Sequence, residues 1–176
     1  MSTDIERLRS LVRDIPDFPR PGIVFKDITP LLGDRQAFAT AVDAIVDRFV
    51  GAGIDVVLGI EARGFILAAP VAYRLGAGFV PARKKGKLPF ETRGVSYELE
   101  YGVESLELHL DAVEPGQRVL IVDDVLATGG TARAACDLVG ESSGVVAGVA
   151  VLIELGFLEG RSKLDDVELV SLLRYE

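Results

Sequence analysis

Apolar residues along the 176-residue chain recur with two different periods. Ile5, Leu8, Leu11 and Val12 fall at helical spacing over residues 4–13, with Thr3 or Asp4 where a cap belongs. Phe38, Val42, Ile45, Val46 and Phe49 repeat at i, i+4, i+7, i+8 and i+11, predicting a helix that opens at 33–34 and stops at 51–53. Short apolar, β-branched runs predict strands over 56–60, 79–82, 118–122, 144–153 and 167–172, and alternation predicts one more over 96–101. Residues 65–75 read as a buried helix that Pro70 kinks or delays, and Ala-rich 132–139 as another helix. Prolines 16, 19 and 21 exclude regular structure between the first helix and the extended piece 23–25. Strands alternating with helices indicate an α/β fold: one domain over 1–176, with a mainly parallel twisted sheet flanked by helices. No internal repeat or linker interrupts it.

Composition narrows the class. Hydrophobic residues make up 49% and charged residues 26%, the balance of a soluble globular chain with a sizeable core. The formal net charge of −8 argues against a nucleic-acid binder. One cysteine, Cys136, rules out an internal disulfide and reads as packed core. The charged N-terminus lacks the apolar centre of a signal peptide, and no apolar run reaches membrane-spanning length. A cytoplasmic protein without a membrane partner is the expectation.

Candidate chemistry concentrates in RVLIVDDVLATGGTARAA, residues 118–135. A strand is expected to end where Asp123 and Asp124 begin; Thr128, Gly129, Gly130 and Thr131 then turn the chain into a helix. Adjacent glycines let backbone N–H groups point inward, and a helix start adds unpaired donors and partial positive charge. A phosphate monoester fits that turn, with the two threonine hydroxyls as further donors. The carboxylates would repel phosphate, so they suit the hydroxyls of an attached sugar. The stretch reads as a sugar-phosphate site. It has neither the G-x-x-x-x-G-K-[ST] nor the G-x-G-x-x-G spelling of other nucleotide loops.

Three other segments carry chemistry with alternatives open. Strand 56–60 runs into Glu61-Ala62-Arg63-Gly64, where Arg63 is either a structural ion-pair member or an anion ligand. Arg83, Lys84, Lys85 and Lys87 form a basic cluster, either a solvated patch or a pocket facing a polyphosphate. With Gly86, Pro89 and Gly94 beyond it, the cluster suggests a long mobile loop over 83–96, a length often used for lids. The apolar-aromatic arm around Phe18 and Phe25 is either a surface loop or a cover for a flat heterocycle. His109, the only histidine, sits in an alternating stretch as an ordinary strand residue.

These motifs occur together in one known family. VDDVLATGGT resembles the phosphoribosyl pyrophosphate (PRPP) motif of the type I phosphoribosyltransferases. DFPRPGIVFKDITPLL is similar to the hood segment of the adenine-specific members, GIEARGF to their pyrophosphate loop, and YELEYG to their signature beside the lid.

The resemblance implies the type I phosphoribosyltransferase fold, with an N-terminal helix and hood over 1–33 and a core over 34–176 that includes the lid. It implies transfer of the 5-phosphoribosyl group of PRPP to adenine N9, giving AMP and pyrophosphate. Asp123 and Asp124 would hold the ribose, and Ala127, Thr128, Gly129, Gly130 and Thr131 the 5′-phosphate. Arg63, Arg83, Lys84 and Lys87 would bind pyrophosphate, with Mg²⁺ arriving on PRPP and no direct protein ligand assigned. Val24, Phe25 and Lys26 would contact adenine; many relatives carry arginine at the last position. Enzymes specific for 6-oxopurines carry an aspartate where Ala127 stands, so Glu100 becomes the candidate proton acceptor, alongside Arg63 as a catalytic group. Leu158 and Glu159 match a region backing the base. The family is usually homodimeric. Another purine phosphoribosyltransferase and a non-catalytic PRPP-binding regulator are the alternatives; residues 1–33 leave little room for the DNA-binding module such a regulator adds.

Overall fold

A computed structural model describes residues 2–99 and 102–176, which divide into two compact units, 1–44 and 45–176. In the first unit, helix α1 (Ser2–Ser10) is followed by strands β1 (Arg13–Pro16) and β2 (Val24–Asp27), paired antiparallel. The helix begins earlier than its periodicity suggests, so Asp4 lies in its first turn instead of capping it, and Val12 falls beyond its end. Pro16 does not exclude regular structure: it closes β1 opposite Val24 in a two-stranded ribbon, an edge position where its missing N–H costs no ladder bond. A one-turn helix α2 (Thr29–Gly33) leads to α3 (Arg35–Phe49), whose last turn belongs to the second unit. Asp34 caps α3. Its Oδ1 accepts from the backbone N–H of Gln36 (3.0 Å) and Ala37 (2.8 Å), satisfying two donors of the first turn.

The second unit holds a seven-stranded sheet. Its strands are β3 (Val56–Ile60), β4 (Gly78–Lys84), β5 (Thr92–Leu99), β6 (Gly102–His109), β7 (Arg118–Leu126), β8 (Val145–Leu155) and β9 (Leu169–Tyr175). Their order is β5-β6-β4-β3-β7-β8-β9. The β4-β3-β7-β8-β9 portion is parallel throughout, and β6 joins β4 antiparallel, so the sheet is mainly parallel, as expected. Helices α4 (Gly64–Leu75) and α5 (Gly130–Glu141) follow β3 and β7 directly. Pro70 lies inside α4 without ending it. Central β3 is buried at every position, which is why it reads as an unbroken apolar run and not as an alternation.

The region 83–96 departs from its sequence reading. Instead of one long loop, Arg83 and Lys84 complete β4, residues 85–91 connect, and 92–99 form β5, paired along its whole length with β6. Glycine and polar content suggested a loop, but the alternation of TRGVSYEL fits a pleated edge hairpin. Val95 and Tyr97 pack on one face against the buried core. His109 ends β6 as a strand residue, with its ring edge-on to Phe90.

Strand β7 also runs further than its apolar stretch. Pairing with β3 stops at Val122, but pairing with β8 continues through Asp123 and Val125 to Leu126. The two carboxylates therefore sit on a strand paired on one side only, past its last ladder partner in β3. Beyond β8, the stretch read as a loop at 157–161 consists of two 3₁₀ turns, Gly156–Leu158 and Gly160–Leu164.

Candidate functional site

Two strand-to-helix connections meet at the carboxyl edge of the parallel strands, where open α/β sheets place their ligands. The first follows β3. Glu61 and Arg63 emerge where the strand stops, and α4 starts at Gly64. The second follows β7 and carries Asp123 to Thr131. Parallel pairing of β3 with β7 brings the two connections side by side, so residues 61 apart in the chain face one another. The contact is direct: Arg63 Nε lies 2.7 Å from Asp124 Oδ2.

Asp124 is only 5% exposed, and its Oδ2 accepts no aligned hydrogen bond among the described residues. The Arg63 contact is thus an ion pair without hydrogen-bond alignment. Asp123 is half-buried, and its Oδ1 accepts from the Asp124 backbone N–H at 2.8 Å. Burial raises the Asp123 carboxyl well above its ordinary range, and the Asp124 charge raises it further. Burial also raises Asp124, with the Arg63 charge working in the opposite direction. Two carboxylates packed this closely, one buried and one half-buried, are costly to the fold, a pattern common at functional sites.

The backbone of the 127–131 turn is built as its glycines suggest. Gly129 is the N-cap of α5 with φ +78°, a left-handed conformation that favours glycine. Ala127, Thr128, Gly129, Gly130 and Thr131 line a cavity of about 100 Å³ together with Asp123. The amino end of α5 opens into it, with its unpaired backbone donors and dipole. Tyr97 donates its hydroxyl to Glu104 Oε2 at 3.3 Å and lines a second cavity with Gly130 and Arg133 of α5, so the β5 arm borders the turn, a position that its alternating strand gave no sign of.

The basic cluster is distributed. Arg83 bridges to Glu61, Nη2 to Oε1 at 3.1 Å and Nε to Oε2 at 3.3 Å, while Glu61 Oε2 also accepts from the Lys84 N–H at 3.0 Å. These bonds, with the Arg83 charge, outweigh burial and lower the Glu61 pKa. Arg83 and Glu61 therefore brace the turn that presents Arg63. Lys84 Nζ pairs with Glu104 Oε1 at 2.9 Å, and the Lys87 carbonyl accepts from Arg83. Within the first unit, Phe25 stacks edge-on to Phe18 at 5.2 Å, Lys26 Nζ pairs with Asp14 Oδ1 at 2.6 Å, and Val24 is exposed. Glu100 lies outside the described residues.

A carboxylate pair on a strand end, a glycine turn capping a helix and an arginine across from them define a sugar-phosphate-binding α/β protein. The phosphoribosyl transferase domain model matches residues 32–172. Adenine phosphoribosyltransferase of Thermobifida fusca is 64% identical, the alignment covering 98% of each chain. Among solved structures, the Rhodothermus marinus adenine phosphoribosyltransferase superposes with a TM-score of 0.96 at 51% identity, covering 99% of this chain and 100% of that one. The Saccharomyces cerevisiae adenine phosphoribosyltransferase, complexed with an imino-altritol bisphosphate and adenine, gives 0.93 at 38% identity, covering 98% and 100%. The chain belongs to the adenine phosphoribosyltransferase family.

Proposed function

We propose that the protein transfers the 5-phosphoribosyl group of PRPP to adenine, forming AMP and pyrophosphate. The observation that carries this reading is the convergence of Arg63, Asp123, Asp124 and the 127–131 turn at one sheet edge. Adenine N9 attacks C1 of the ribose as pyrophosphate departs, so positive charge develops on the sugar and negative charge on the leaving group. Asp123 and Asp124 accept hydrogen bonds from the ribose hydroxyls, and their charge favours the cationic sugar. The turn holds the 5′-phosphate, remote from the reacting bond, and spends its binding energy on orientation. Arg63 faces the leaving pyrophosphate from across the site; Arg83, Lys84 and Lys87 add positive potential behind it.

The residues present fit Mg²⁺ as a companion of PRPP. Oδ2 of Asp124 is a buried hard oxygen without an aligned donor, and Mg²⁺ typically binds through one or two carboxylates together with substrate phosphates. Among the described residues no cluster of three or more His, Cys, Asp or Glu is arranged to hold a metal alone, so Asp123 and Asp124 would act with PRPP oxygens. Bound there, the ion would offset the charge of the departing pyrophosphate.

The remaining assignments are parts of the same reading. Val24, Phe25 and Lys26 enclose adenine, with residues 1–33 as the hood, and Glu100 takes the N9 proton. The net charge of −8 supports a partner list of small molecules without nucleic acid. No helix among the described residues is long and apolar enough to cross a membrane. A cytoplasmic homodimer belongs to the same proposal, and sedimentation would test the dimer.

The test is PRPP- and Mg²⁺-dependent AMP formation with adenine, hypoxanthine, guanine and uracil offered in parallel. Turnover of adenine alone is expected. Turnover of another base would move the error to the hood, and PRPP binding without turnover would favour a regulator.

A further inference from the structure

Glu154 stands at the end of β8, 2% exposed and in register with Leu126, the residue before the phosphate turn. Arg161 donates to it twice, Nε to Oε1 at 2.9 Å and Nη2 to Oε2 at 2.6 Å, and Ser171 Oγ adds a third bond at 2.6 Å. These donors hold the Glu154 carboxyl below its ordinary range, so it stays charged. The Arg161 side chain is 45% exposed, and an ion pair open to water on one side adds little to stability. What this pair does fix is the residue next to Arg161.

Gly160 lies backbone to backbone against the turn. A Cβ there would overlap the Ala127 carbonyl oxygen and stand 2.8 Å from the Gly129 nitrogen. Reciprocally, a Cβ on Gly129 would overlap the Gly160 carbonyl. Further along, Leu164 is buried with Ala132, Ala135 and Cys136 of α5, and Arg133 Nη1 pairs with Asp166 at 2.9 Å. The segment 160–166 is thus anchored at both ends, with Gly160 as its point of contact on the turn.

We propose that the Glu154–Arg161 pair and Gly160 form a brace that sets the position of the Ala127–Gly129 backbone and so the affinity for the 5′-phosphate of PRPP. This rests on the reading of 127–131 as the phosphate turn. None of the three lines the cavity at the turn; they are positioning residues. Backbone donors cannot adjust as side chains do, so a displacement of about 1 Å costs on the order of a hundredfold.

Gly160 is the sharpest probe, because its φ lies outside the left-handed region and alanine adds only the collision. Gly140, with nothing within 4 Å of an added Cβ, is the control. Steady-state kinetics, ribose 5-phosphate calorimetry and thermal melting would be run on wild type, Gly160→Ala, Arg161→Ala, Arg161→Lys, Gly140→Ala and Thr131→Ala. The brace predicts that Gly160→Ala and Arg161→Ala weaken ribose 5-phosphate and raise the PRPP KM by about ten- to a hundredfold. The adenine KM should stay within about twofold, Arg161→Lys should recover part of the loss, and Gly140→Ala should match wild type. Melting points that fall while PRPP KM and ribose 5-phosphate affinity hold would overturn it, leaving a purely structural pair. If Thr131→Ala also leaves both constants unchanged, the phosphate-turn reading itself has failed, and the brace with it.

Discussion

Replacing Gly64 by alanine would test how the two connections are fitted together. Gly64 is the first residue of α4, and a Cβ there would stand 2.8 Å from Asp123 Oδ1, 3.0 Å from the Val122 carbonyl oxygen and 3.2 Å from Asp123 Cα. Two of the three are main-chain atoms of β7 that cannot rotate away. The strands or the helix must therefore part by several tenths of an ångström. Overpacking of this kind costs about 1–3 kcal/mol. Alanine returns up to about 1 kcal/mol through helix propensity. The net is destabilisation of up to about 3 kcal/mol, or a Tm lowered by up to about 12 °C in a chain of this size. The functional effect should be larger than the thermal one, because the atom pushed is the Asp123 carboxylate. The prediction is a PRPP KM raised about tenfold or more at temperatures where the variant is fully folded. Circular dichroism melting and AMP formation at varied PRPP would measure both. A variant as stable and as active as wild type would refute the packing argument and the role given to Asp123.

Four further outcomes follow from the site. Asp124→Asn and Arg63→Ala should each lose activity by about a hundredfold or more while staying folded, as far-ultraviolet circular dichroism would verify; near-normal turnover would remove that residue from the mechanism. Because the Asp123 and Asp124 pKa values are raised in the folded state, the pair opposes folding once pH rises through those values. Asp123→Asn should therefore raise the Tm near pH 7, with the gain shrinking on acidification, while wild-type PRPP binding fades as pH falls through the same raised values; a Tm difference independent of pH would count against the shifts. Glu100→Gln should depress turnover and alter its pH profile, whereas unchanged activity across pH would leave Glu100 out of proton transfer. Burial pushes the Cys136 thiol up to about 11, so alkylation of the native protein at pH 8 should be slow until denaturant is added, and rapid native labelling would contradict its packing.

Much of this molecule was legible in one dimension, for a physical reason. A strand buried on both faces, such as β3, must be apolar at every position, and a helix such as α3 must repeat its apolar face, so both are written as local patterns. The glycine turn is equally local: helix start, glycines and hydroxyls all lie within a few consecutive residues. The resemblance to a known family rested on such segments, and membership followed from comparison along the whole chain.

What the sequence could not express is adjacency between distant segments. Apolar content marked β7 as ending at Val122, but its ladder with β8 carries Asp123 and Asp124 onward, since backbone pairing does not depend on side-chain polarity. Glycines and lysines suggested a loop at 83–96, yet pairing with β6 and packing of Val95 and Tyr97 make half of it strand. The basic residues there advertised an anion site, but only the fold shows Arg83 spent on Glu61 and Lys84 on Glu104. The Arg63–Asp124 contact and the meeting of Gly129 with Gly160 depend on parallel strand order and close backbone approach. Local spacing therefore determined the elements and the candidate chemistry. Tertiary structure alone decided which charges face one another, because that is set by the order of strands in the sheet.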